Sequence, residues 1–99
     1  MAPRLDLQIL LEEIVDHVYF QPPPNDRMEF PCIVYQRDGS SAIRADNKLY
    51  RHTKRYQVTV IDRNPDSELP DKVIELPLSE FNRFFTADGL NHHVFTLFF

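Results

Sequence analysis

The sequence is short of most residue types on which chemistry depends. Of its 99 residues one is cysteine, Cys32, which excludes an internal disulfide and a cysteine-rich zinc site and fits a reducing compartment. Two are glycine, so there is no glycine-rich loop to cradle a phosphate. No run approaches the roughly 18 apolar residues of a membrane helix. The acidic opening, with Asp6, Glu12 and Glu13, does not read as a signal peptide. Repeats and low-complexity segments are missing too. The length allows one domain, residues 1–99, with no second core.

What is present is a core-forming composition: 42% hydrophobic and 12% aromatic residues exclude a disordered tail. Net charge is −4, from 15 acidic and 11 basic residues, which argues against a general nucleic-acid binder. The basic residues are unevenly placed. Six of them (Arg37, Arg44, Lys48, Arg51, Lys54 and Arg55) fall between positions 37 and 55, opposed only by Asp38 and Asp46.

Hydrophobic spacing divides the chain into elements. Leu7, Leu10, Leu11, Ile14, Val15 and Val18 share one helical face, and the prolines of "QPPPND" at 21–26 stop that helix. Residues 22–30 then read as a stiff extended linker. "PCIVYQ" at 31–36 has strand composition, "RDGSS" suggests a turn at Gly39, "SAIRA" a weak second strand, and "DNK" another turn. "KRYQVTVID" at 54–62 is the strongest strand, with Tyr56, Val58 and Val60 on one face and Arg55, Gln57, Thr59 and Ile61 on the other. A short helix is expected over 67–76, with Pro70 in its first turn and Pro77 ending it. "SEFNRFFTADG" and "HHVFTLFF" complete the pattern as strands joined by a turn at Asp88-Gly89. The expected fold is α+β, in the order α-β-β-β-α-β-β: a mostly antiparallel sheet with two helices packed on one face.

Catalytic arrangements are largely excluded. His92 and His93 are neighbours on a strand and so point to opposite faces, whereas strand ligands to one metal need alternate positions. Cys32, between a proline and an apolar run, reads as a buried thiol with a raised pKa. The serines sit in turns or caps and none lies in a Gly-x-Ser-x-Gly elbow. The expectation is no catalytic residue, no metal and no cofactor. Two other readings stay open. Asp62 at a strand end, with the basic 37–55 segment, suits a small metal-dependent nuclease. The same segment, with Tyr50 and Tyr56, suits a nucleic-acid-binding module.

The last nineteen residues hold six of the eight phenylalanines. In the final strand Val94, Thr96 and Phe98 share one face while Phe95, Leu97 and Phe99 share the other, and both faces are apolar. Two helices cover one face of a small sheet, so the rings on the other call for a partner, expected to be a second copy. Phe95, Leu97, Phe98 and Phe99 are the expected subunit interface. Arg44, Lys48, Arg51, Lys54 and Arg55 are expected to form a basic arm for contacts with a neighbouring subunit or another component of its assembly.

"PPPNDRMEFPCIVYQRDG", "ADNKLYRHTKRYQVTVIDRNPDSELPDKVIELP" and "FNRFFTADGLNHHVFTLFF" resemble, in order and spacing, the tail terminators of long-tailed bacteriophages, also called tail-completion or head–tail joining proteins. The resemblance covers nearly the whole chain from about Leu7. It implies a non-enzymatic virion protein of the tail and neck, assembled in the bacterial cytoplasm. Its copies close a hexameric ring that caps the tail tube and meets the head–tail connector. DNA passes through such a ring without sequence-specific binding, and no membrane is involved. A stopper or adaptor of the same connector is the neighbouring alternative.

Overall fold

The computed structural model describes residues 4–21, 28–45 and 48–99, with side chains described outside 40–53. Two helices, α1 (Arg4–Glu12) and α2 (Leu69–Ile74), accompany strands β1 (Val18–Phe20), β2 (Cys32–Ala45), β3 (Lys48–Asp62), β4 (Ser79–Ala87) and β5 (Leu90–Phe98). The strands make one sheet in the order β1-β2-β3-β5-β4.

Side-chain alternation sorts the sheet into two faces. Ile33 and Tyr35 of β2, Tyr56, Val58 and Val60 of β3, and Phe95 and Leu97 of β5 point to one side. There they bury against Leu7 and Leu11 of α1 and Val73 of α2. The second face carries a smaller cluster of Cys32, Val34 and Ile61, capped by Tyr19, Met28, Phe30 and Leu90. Both helices therefore lie on the same face, as α+β patterning anticipates.

Three sequence expectations are corrected. The first helix ends at Glu12, well before Val18, and Val18–Phe20 forms a strand instead. The β-branched residues Ile14, Val15 and Val18 fit helical spacing but favour extended backbone. Backbone bonds from Ile33 N to His17 O (2.9 Å) and from Gln21 N to Tyr35 O (2.8 Å) draw the segment onto β2. That pairing is parallel, so the sheet is mixed rather than mostly antiparallel. Finally, "PCIVYQ" and "SAIRA" are one strand. The residues read as a turn hold a β-bulge between Arg37 and Gly39, where Gly39 takes φ +150° and the ladder to β3 continues. The turn expected at Asp46–Asn47 and most of the linker (22–27) lie outside the described residues.

Other expectations hold. Asp88 (φ 53°) and Gly89 (φ 74°) form the two-residue loop of the β4–β5 hairpin, both in the left-handed region that such a loop needs. Leu69–Ile74 starts with Pro70 in its first turn, and Ser67 Oγ accepts the Leu69 amide at 3.2 Å.

Helix α1 is keyed to the sheet by one polar cluster. The Tyr35 hydroxyl, in a side chain fully buried at the middle of the core, donates to Gln8 Oε1 and accepts from Arg4 Nη1 at 3.0 Å. Gln8 Nε2 donates to Val18 O (3.3 Å), and the Arg4 guanidinium lies 4.2 Å over the Phe20 ring. Burial raises the Tyr35 pKa, an effect that Arg4 opposes, so the phenol stays a neutral donor.

Cys32 is wholly buried, and burial first, then Asp62, pushes its thiol pKa up to about 12. The folded protein is expected to resist a thiol reagent at neutral pH and to release one reactive thiol per chain in denaturant. Rapid labelling of the folded chain would contradict this placement.

Candidate functional site

The residues weighed for chemistry do not gather. His92 and His93 face opposite sides of β5: His92 stacks on Phe85 with ring centroids 4.5 Å apart, and His93 packs on Phe84 at 4.7 Å. Asp62 Oδ1 accepts the Asn64 amide at 3.0 Å, a turn-capping role, and Asp88 sits in the hairpin loop. Among the described residues no three of His, Cys, Asp and Glu come together as a metal site would require.

The aromatic surface lies on a different strand from the one expected. Phe95 and Leu97 are 2% and 1% exposed, sealed inside the subunit by its own helices, and Val94 on the opposite face is buried too. Phe98 and Phe99 are half-buried, with Phe99 packed against the core. The correction has a simple cause. β5 is an interior strand between β3 and β4, and an interior strand of a two-faced sheet is apolar on both sides.

Strand β4 is the sheet edge, and it is exposed along almost its whole length. Phe81 is 54% exposed and Phe84 49%. Both stand on the helix side, Phe81 edge-on to Phe95 (5.7 Å) and Phe84 against His93. With Ile74 and Asp71 of α2, Phe81 lines a cleft of about 380 Å³ whose floor is His93 and Phe95. Leu78, just before the strand, is 56% exposed and takes φ 59°, a conformation that costs a branched residue about 1–2 kcal/mol. Leu78→Asn is expected to stabilise the isolated subunit by about 0.5–1 kcal/mol, because Asn tolerates this backbone. Urea denaturation measures it; a loss of stability would show that Leu78 contributes to the subunit's own fold.

Burial lowers the His93 pKa, against the raising pull of Asp71 and Asp62, while His92 lowers it further. Its Nδ1 is buried with no partner among the described residues. A histidine whose folded pKa lies below its unfolded value stabilises fully above the unfolded pKa, and that contribution is lost as pH falls toward the folded one. The thermal midpoint should therefore fall below about pH 6.5. His93→Gln should flatten the fall; an equal fall in that variant would assign it to other groups.

The second surface is a ribbon. β3 pairs with β5 only over Arg55–Asp62, and β1 reaches only Ile33–Tyr35 of β2. Residues Lys48–Thr53 of β3 therefore pair with β2 alone, and this two-stranded extension runs on for about 20 Å. It gives the molecule extents of 50 × 22 × 22 Å and a radius of gyration of 14.5 Å, against the roughly 13 Å of a compact chain this size. Of the basic-arm residues, Arg44, Lys48 and Arg51 lie on this ribbon by register, their side chains outside the described residues. Lys54 and Arg55 stand at its base, half-buried. Arg55 is engaged within the subunit: Nη2 donates to Asp38 O (3.0 Å) and Nε lies 3.5 Å from the Asp38 carboxylate. It is better described as an anchor of the bulge than as a free contact residue.

No protein-family model matches the chain, and a search of curated proteins finds no match.

Proposed function

We propose that the chain is a structural component of a phage neck, a tail terminator whose copies close a ring on the tail tube. One observation carries this reading. The subunit bears two incomplete surfaces at once, an apolar edge strand and a projecting basic ribbon, and both need a neighbour. A ribbon of two strands is marginal in water by itself. An exposed, hydrophobic edge strand is a template for further pairing. Two different surfaces on one subunit build a head-to-tail contact, and head-to-tail contacts about a rotation axis close rings.

The sequence resemblance supplies the setting: a hexameric ring between tail tube and head–tail connector, with DNA passing through its lumen. Among the described residues no helix is long and apolar enough to cross a membrane. The test is direct. Purified protein mixed with tail tubes is imaged by electron microscopy, where capped ends and arrested tube growth are expected. Tubes that keep elongating with bare ends would overturn the reading.

A further inference from the structure

We draw no further inference here: the strongest candidate, the exposed edge of β4 with Phe81 and Phe84 beside the α2 cleft, is an unpartnered apolar surface, and nothing among the described residues shows what covers it.

Discussion

Tyr35→Ala is expected to cost about 3–5 kcal/mol, the range for replacing a large buried ring by a methyl group. That is a large part of the roughly 5–15 kcal/mol by which a domain of this size is stable. Tyr35 is fully buried on β2 and packs its ring against Phe20 at 5.1 Å and Tyr56 at 6.1 Å. It also holds Gln8 and Arg4 of α1, so truncation empties the core and strands two polar groups at once. Urea denaturation should show the loss, with a thermal midpoint lower by about 15–30 °C. Tyr35→Phe keeps the ring and removes only the hydroxyl, so about 1 kcal/mol is expected. Equal losses in the two variants would mean that the hydroxyl cluster, not the ring, secures α1.

The second large effect concerns assembly. Phe81→Ser with Phe84→Ser is expected to leave the isolated subunit within about 1 kcal/mol of wild type, because both rings are already half in water. Covering the remaining half of each ring contributes on the order of 1–1.5 kcal/mol. Losing both should weaken self-association about 30- to 150-fold. Sedimentation velocity reads this beside a urea melt. If association stays intact in the double variant, the apolar edge takes no part; if the subunit unfolds, the rings belong to its own core.

Much of the fold was legible because it is local. Alternation in "KRYQVTVID" identifies β3 and the correct buried face, and Asp88-Gly89 identifies the β4–β5 hairpin. β1 was not legible. Three residues are too few to show a period, and they are held by bonds to β2, fourteen or more positions away. The bulge at Arg37–Gly39 read as a turn because glycine serves both, and only the partner strand decides between them.

The site was half legible. Composition correctly pointed to excess aromatic surface near the end of the chain. It assigned that surface to β5 because apolar residues on both faces also describe an interior strand, and strand order is set by long-range pairing rather than spacing. Phe81 and Phe84 carried no separate signal. A bulge between Phe81 and Arg83 shifts the register so that both rings reach the same side, which simple alternation would not give.

The bulge at Arg37–Gly39 stands where the ribbon leaves the sheet, and Asp38 with Arg55 fixes it from the two strands. A bulge sharpens the local right-handed twist, so the bearing of the ribbon relative to the body is decided at this joint. A side chain at Gly39 would put its Cβ 2.9 Å from Arg55 Nη2, so any substitution there pushes on the one guanidinium that holds the joint from the opposite strand.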